Sequence, residues 1–336
     1  MSCDKAIVVT TIQLPTASVR RLAELRPDWR FVVAGDRKTP ADWHCPGVEY
    51  WSIEAQERLG EFARLLPLNH YARKNLGYLA AMRQGARIIY ETDDDNLAYD
   101  HLLATVERDV AGTRCAQSGW VNVYRHFTDA RVWPRGFPLE LLNGSFESGV
   151  TGEEVRVACP VQQFLADGDP DVDALFRLTQ SQEILFRPGS VILGAGSYCP
   201  FNSQNTLWWD DAFPLLYLPS HVSFRMTDIW RSYVAQVCLF RAGHHLAFRE
   251  ATVFQDRNAH DLMRDFRDEV AGYLNNLRIV PMLEALDLSP APEDMGENLR
   301  VCYRALVEAG IVPQAELPLV DGWLAEVGQI ALESAA

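Results

Sequence analysis

In the segment Gly85-Ala-Arg-Ile-Ile-Tyr-Glu-Thr-Asp-Asp-Asp-Asn96, an apolar run, Ile88-Ile89-Tyr90, stands shortly before three consecutive carboxylates. The run has the length and composition of a buried strand. Side chains alternate along a strand, so an extended backbone carried through the triplet puts Asp93 and Asp95 on one side and Asp94 on the other. Two carboxylates at a strand end supply the hard oxygens that suit Mg²⁺ or Mn²⁺, and such a cation shares its remaining positions with waters and substrate phosphates. The chemistry indicated is handling of a nucleoside diphosphate, whose leaving group needs its charge neutralised. A solvated acidic turn is the plain alternative.

Upstream, Ala6-Ile-Val-Val-Thr-Thr-Ile12 reads as a strand, residues 18–26 as a helix capped by Thr16 or Ser18, and residues 29–34 as a second strand. Strand, helix and strand in this order form a βαβ unit and imply a parallel sheet. Ligands of such sheets lie beyond the carboxyl ends of the strands, where Thr10, Thr11 and Asp36 fall. Asp36 can accept hydrogen bonds from a base or ribose, and in Gly-Asp-Arg-Lys-Thr-Pro it equally suits a turn. Residues 48–53 read as a third strand, and Ser52 can open a helical stretch that reaches 65. In the helix over 66–82, Leu76, Leu79, Ala80 and Met82 suit a sheet-facing side. Arg73 and Lys74 at its polar start can grip diphosphate oxygens, and Asn75 can reach a sugar hydroxyl. Surface ion pairs explain the two cations otherwise.

Residues 97–165 are rich in Gly, Pro and aromatics, with Trp133-Pro-Arg-Gly-Phe-Pro138 as a rigid loop and strands over 119–124 and 155–161. In Asp167-Gly-Asp-Pro-Asp-Val-Asp173, Pro170 keeps Asp169 extended, so Asp169 and Asp171 face alike as acceptor or sugar contacts. Asp171 could instead cap a helix that starts near Asp173. In Tyr198-Cys-Pro-Phe-Asn-Ser-Gln-Asn-Thr-Leu-Trp-Trp-Asp-Asp211, the amides of Asn202, Gln204 and Asn205 beside Trp208 have the composition of a sugar-binding surface. Core tryptophans would read the same. Asp228 lies near the start of a helix, as a cap or as a general base for an acceptor hydroxyl. Before a later helix, Asn258 is the expected cap and His260 a metal or phosphate contact, or a structural histidine.

The bulk numbers exclude several classes. With 31 Lys and Arg against 45 Asp and Glu in 336 residues, the net charge of −14 weighs against nucleic acid or an anionic membrane as partner. No run approaches the ~18 apolar residues of a membrane span, and a cytoplasmic location is expected. Seven scattered cysteines without a Cys-x-x-Cys pair argue against structural zinc and a disulfide framework. Residues 1–287 are expected to form the main domain, its nucleotide-binding half about 1–100 and its acceptor or sugar half about 101–287. After a Ser-Pro-Ala-Pro-Glu linker, amphipathic stretches over 294–309 and 319–333 read as a C-terminal helical appendage (288–336), available for packing or homo-oligomerisation.

Taken together, several strings resemble the STELLO family. They are Thr10-Thr-Ile12, Gly35-Asp-Arg-Lys-Thr-Pro40, Asn69-His-Tyr-Ala-Arg-Lys-Asn-Leu-Gly-Tyr78, Ile88-Ile-Tyr-Glu-Thr-Asp-Asp-Asp-Asn96, Gly168-Asp-Pro-Asp-Val-Asp-Ala-Leu-Phe-Arg-Leu-Thr179, Phe201-Asn-Ser-Gln-Asn-Thr206, Asp228-Ile-Trp-Arg231 and Arg257-Asn-Ala-His260. The likeness runs in order over roughly residues 5–265. It does not carry over the membrane anchor and further large region of the plant members, nor their role near cellulose synthase. STELLO proteins are similar to GT-A glycosyltransferases and, distantly, to the reversibly glycosylated polypeptides that act as UDP-arabinopyranose mutases. The resemblance implies an α/β GT-A-like fold (a Rossmann-like mixed sheet flanked by helices) with the triplet as its metal and sugar-nucleotide motif. It also implies donor-site roles for Asp36, Arg73, Lys74 and Asn75, and site roles for Asp228 and His260.

The resulting expectation is a glycosyltransferase dependent on Mn²⁺ or Mg²⁺, moving a sugar from a nucleotide-diphosphate sugar, uridine-based, to an acceptor that the sequence does not name. Asp95 would hold the metal with Asp93 and His260, Asp93 and Asp94 would also meet the donor, and Asp228 would be the catalytic base. A sugar-nucleotide mutase and a non-catalytic sugar-nucleotide-binding scaffold are the alternatives.

Overall fold

The computed structural model describes residues 4–147, 149–180, 182–255 and 261–335. The first elements are β1 (Lys5–Thr11), α1 (Ala17–Leu25), β2 (Arg30–Gly35), β3 (Glu49–Trp51), α2 (Ile53–Glu57), α3 (Glu61–Leu65), α4 (Lys74–Arg83), β4 (Ile88–Thr92) and β5 (Asn96–Ala98). Then come β6 (Asp109–Cys115), β7 (Gly119–Trp120), α5 (Tyr124–Phe127), β8 (Gly152–Ala158), β9 (Val161–Gly168), α6 (Ala174–Thr179), β10 (Ser190–Leu193), β11 (Ser197–Tyr198) and β12 (Asn205–Trp209). The last are α7 (Thr227–Arg241), β13 (Leu246–Gln255), α8 (Leu262–Glu284), α9 (Met295–Glu308) and α10 (Leu317–Ala335).

One mixed sheet runs β3-β2-β1-β4-β12-β9-β13-β10-β6-β8, with β5 paired to β13 as its eleventh strand. The strands β3, β2, β1 and β4 are parallel, and β12 enters antiparallel beside β4 with Thr206 opposite Glu91. Residues of β1 show why the run is apolar throughout. Ala6 and Val8 join the core on one face, Ile7 and Val9 the core on the other. A strand covered on both faces needs apolar residues at both parities. The helix α4 lies close on this sheet because Gly77 has no Cβ, which would stand 2.7 Å from Val8 Cγ1. The result is a GT-A-like α/β fold, as expected.

Several boundaries differ from the sequence reading. Gly60, at φ +123°, separates α2 from α3 where one helix was expected. Pro160, which has no N–H for a ladder, lies between β8 and β9 and divides the strand expected over 155–161. Only Gly119 and Trp120 of 119–124 are strand, and Tyr124 opens α5. The cap of α6 is Asp173, not Asp171, and Asp261 caps α8. The C-terminal helices form where the periodicity puts them, and they pack on the main core. Leu299, Tyr303, Leu319 and Trp323 belong to the same core as Leu76 and Tyr233. The Trp323 ring lies 6.1 Å from that of Phe62, and its Nε1 donates to Pro214 O at 2.8 Å.

Candidate active site

A cleft of about 740 Å³ opens at the carboxyl ends of β1, β2 and β4, lined by Thr10, Thr11, Asp36, the whole triplet Asp93–Asp95, Gln204, Asp171, Asp228 and Arg135 among others. The triplet is not extended. Strand β4 ends at Thr92, and the chain turns over Asp94 and Asp95 into β5. Two hydroxyls hold this turn: Thr11 Oγ1 donates to Asp94 Oδ2, and Thr16 Oγ1, also the cap of α1, donates to the carbonyl of Asp94. The alternation expected for a strand is therefore lost, and all three carboxylates line one cleft.

Each carboxylate has its own surroundings. Asp93 is partly exposed, and its Oδ1 accepts from Tyr71 OH at 2.7 Å and from Lys74 Nζ at 3.2 Å. Asp94 has its pKa raised, chiefly by burial, against the hydrogen bond from Thr11. Asp95 is pushed up to about 6 by burial and then by the charges of Asp93 and Asp94. Its Oδ2 accepts from Gln255 Nε2 at 3.3 Å, while its buried Oδ1 has no hydrogen-bond partner among the described residues. A buried carboxylate oxygen left unpaired between like charges is costly, and a cation is the partner that relieves both terms. Among the described residues no three carboxylates, imidazoles or thiols converge as a ready metal cage. The set suits a cation that takes only one or two protein oxygens.

The other expected donor residues separate. Successive helical residues cannot share a face, and the 73–75 run shows it. Lys74, fully buried, reaches under the triplet, its Nζ on Tyr71 OH, Thr92 O, Ser203 O and Asp93. Arg73 points away from the cleft, where Gln56 Oε1 and the carbonyls of Ala63 and Leu66 take its guanidinium. Asn75 closes a two-way clamp on the backbone of Leu218, with both bonds at 2.9 Å. Neither Arg73 nor Asn75 can reach a donor in this arrangement. Asp36 lines the cleft, but its oxygens accept from the backbone N–H groups of Arg37, Asn69 and His70, which fixes the loop that carries Tyr71. Thr10 donates to Ala34 O across β2.

The second acidic segment divides likewise. Asp169 pairs with Arg177. Asp171 instead receives Arg135 on both oxygens, at 2.7 and 2.9 Å, and Arg135 reaches Asp228 at 2.9 and 3.0 Å. Burial would raise the Asp228 carboxyl, but Arg135 outweighs it and holds the group at about 2. A carboxylate so firmly ionised takes up a proton poorly, which makes it a weak general base. The amide-rich segment is mostly core. Trp208 is fully buried with Nε1 on Glu91, Asn205 bonds Leu165 O and Thr252, and Asn202 accepts from the backbone of Gln204. No sugar-stacking indole faces the cleft there, and of this segment's expected residues only Gln204 lines it. His260 and Asn258 lie outside the described residues.

Reading the sequence missed Tyr71, Ser203, Gln255 and Arg135. Only Arg135 had a local signal, the rigid Trp-Pro-Arg-Gly-Phe-Pro loop. Its partners stand 36 and 93 residues away, which no local pattern reveals.

A mixed sheet with an acidic turn at the carboxyl end of a parallel strand defines a GT-A-like α/β protein. The chain is similar to the STELLO family: the model for STELLO glycosyltransferases matches residues 225–335. The chain is 30% identical over 349 aligned positions, 96% of its length, to the protein named Probable glycosyltransferase STELLO1 from Arabidopsis thaliana, of which it covers 44%. It is also 30% identical to Probable glycosyltransferase STELLO2 of the same plant, over 84% of the chain and 39% of that relative. The chain thus spans less than half the length of either relative. The match extends beyond residue 265 into the C-terminal helices. No helix among the described residues is long and apolar enough to cross a membrane.

Proposed function

We propose that this chain is a glycosyltransferase that moves a sugar from a nucleotide-diphosphate sugar, uridine-based, to an acceptor, with Mn²⁺ or Mg²⁺ at Asp95 and Asp93. The observation that carries this reading is the buried Oδ1 of Asp95 in the cleft, unpaired among the described residues. Lys74, beneath the turn, offsets part of the triplet's charge and fixes Asp93. Thr11 and Thr16 keep the turn at the strand end. A divalent cation bound there would neutralise charge on the departing diphosphate. The remaining task of the chain is orientation: Asp36 sets the loop over the donor end, and the Arg135 network fixes the opposite wall.

The test is a thermal-shift screen of UDP, UDP-sugars and GDP-sugars, each with Mn²⁺, with Mg²⁺ and with EDTA. A ligand at 100 times its dissociation constant adds ~2.7 kcal/mol. A rise with one donor that EDTA removes is expected for the native chain and not for Asp95→Asn. No shift with any donor would overturn the reading.

A further inference from the structure

The cleft holds a second charged group that the acidic turn does not explain. Arg135 has five N–H donors, and all five are in use. Nε meets Asp171 Oδ1, Nη2 meets Asp171 Oδ2 and Asp228 Oδ2, and Nη1 meets Asp228 Oδ1 and the carbonyl of Arg225. Its backbone N–H donates to Asp171 O at 2.9 Å, and Gly136, at φ +91°, seats the loop so close to α7 that a Cβ would stand 2.3 Å from Ile229 Cγ2. A guanidinium with no free donor cannot bind diphosphate. What it does is hold two carboxylates still.

Those carboxylates keep acceptor capacity. Each carboxylate oxygen has two lone-pair sites. Asp171 receives one bond per oxygen from the described residues, so both oxygens can accept another. Asp228 Oδ2 is filled by Arg135 and by the N–H of Ser203, but Oδ1 carries a single bond from the described residues. Two carboxylates with one guanidinium carry a net negative charge, which repels phosphate and welcomes hydroxyl donors. A chain of hydrogen bonds joins this group to the acidic turn: Tyr71 OH donates to Asp93 Oδ1 at 2.7 Å, Ser203 Oγ donates to Tyr71 OH at 2.5 Å, and the Ser203 N–H donates to Asp228 Oδ2 at 3.2 Å. The diphosphate end and the hydroxyl-accepting end are thereby built as one unit.

Resting on the glycosyltransferase reading, we infer that Asp171 and Asp228 accept hydroxyls of the donor's sugar, and that Arg135 is the positioning residue that aims them without touching substrate. The site therefore selects a sugar by the hydroxyls it presents to two fixed carboxylates. A hydrogen bond to a charged acceptor supports about tenfold or more in affinity.

The test measures binding of UDP, UDP-glucose, UDP-galactose and UDP-xylose with Mn²⁺ by calorimetry, together with the 2-, 3-, 4- and 6-deoxy analogues of UDP-glucose. At least one sugar is expected to tighten binding over UDP, and removal of at least one hydroxyl to weaken it about tenfold. In Asp171→Asn the penalty for the hydroxyl that Asp171 accepts should shrink while UDP binds as before. Arg135→Lys should lose the sugar's increment and also keep UDP affinity, and it serves if the first variant does not fold. Deoxy penalties that are all unchanged in both variants, or a native chain for which every sugar binds no better than UDP, overturn this inference alone. Failure of UDP itself to bind with Mn²⁺ overturns the glycosyltransferase reading and this inference with it.

Discussion

At the scale of single residues, the site puts function against stability. Asp95 is half-buried beside two like charges, with one buried oxygen unpaired among the described residues, so its ionised form strains the fold in the absence of a cation. Asp95→Asn should therefore raise the melting temperature of the metal-free protein, by about 2 kcal/mol of stability, while losing any response to Mn²⁺. A variant less stable than the parent in EDTA would contradict this. Beneath the turn, Glu91 and Arg231 form a fully buried two-bond ion pair, supported by Trp208 Nε1 and Tyr78 OH. Glu91→Ala leaves a buried guanidinium without its partner and should cost about 3–5 kcal/mol in denaturant unfolding, whereas Glu91→Leu with Arg231→Met should recover most of it. The sequence showed the triplet because carboxylates after an apolar run are a local pattern. It could not show that Glu91 is a core anion, since its partner is 140 residues away.

Among the elements, the early strands and helices were legible because burial on both faces and cap residues write themselves locally. Thr16 and Ser52 cap α1 and α2, each accepting the N–H three residues on. The second acidic segment was harder to read, because several aspartates competed for one cap. Asp173 won it: its oxygens accept from Phe176 N at 2.8 Å and from Trp133 Nε1 at 2.6 Å in a nearly water-free place. Burial pushes its carboxyl from 3.8 up to about 6 despite both bonds. The folded state then binds this proton more tightly than the unfolded chain does. Its contribution is fully favourable below pH ~4 and is lost as pH rises through about 6, a change of at most about 3 kcal/mol. Stability measured by denaturant from pH 4 to 6.5 should fall less steeply in Asp173→Asn than in the parent. Parallel slopes would mean that the group stays ionised throughout.

Across the whole molecule, the C-terminal helices looked separable in the sequence because a Ser-Pro-Ala-Pro linker precedes two amphipathic stretches. Amphipathicity tells that a face is buried, not against what. Here the face covers the sheet's own helices, and Glu316, fully buried just ahead of α10, reaches into the segment 217–221. It accepts from Tyr217 OH, from Ser220 N at 2.8 Å and from His221 N at 2.6 Å, while Asn75 clamps Leu218 from the other side. That segment leads into Phe224, Arg225 and Asp228 at the cleft. Removing the Glu316 carboxylate strands three donors, and each buried unsatisfied group costs about 1–3 kcal/mol. Trp323→Ala empties a core position at a cost of about 3–5 kcal/mol. If the helices belong to the cooperative unit, Glu316→Ala and Trp323→Ala will each lower one shared calorimetric transition, and Glu316→Ala will also weaken binding of UDP-sugars in the cleft. A separate, earlier transition that leaves the main one in place would show that residues beyond 288 fold by themselves and that the cleft does not depend on them.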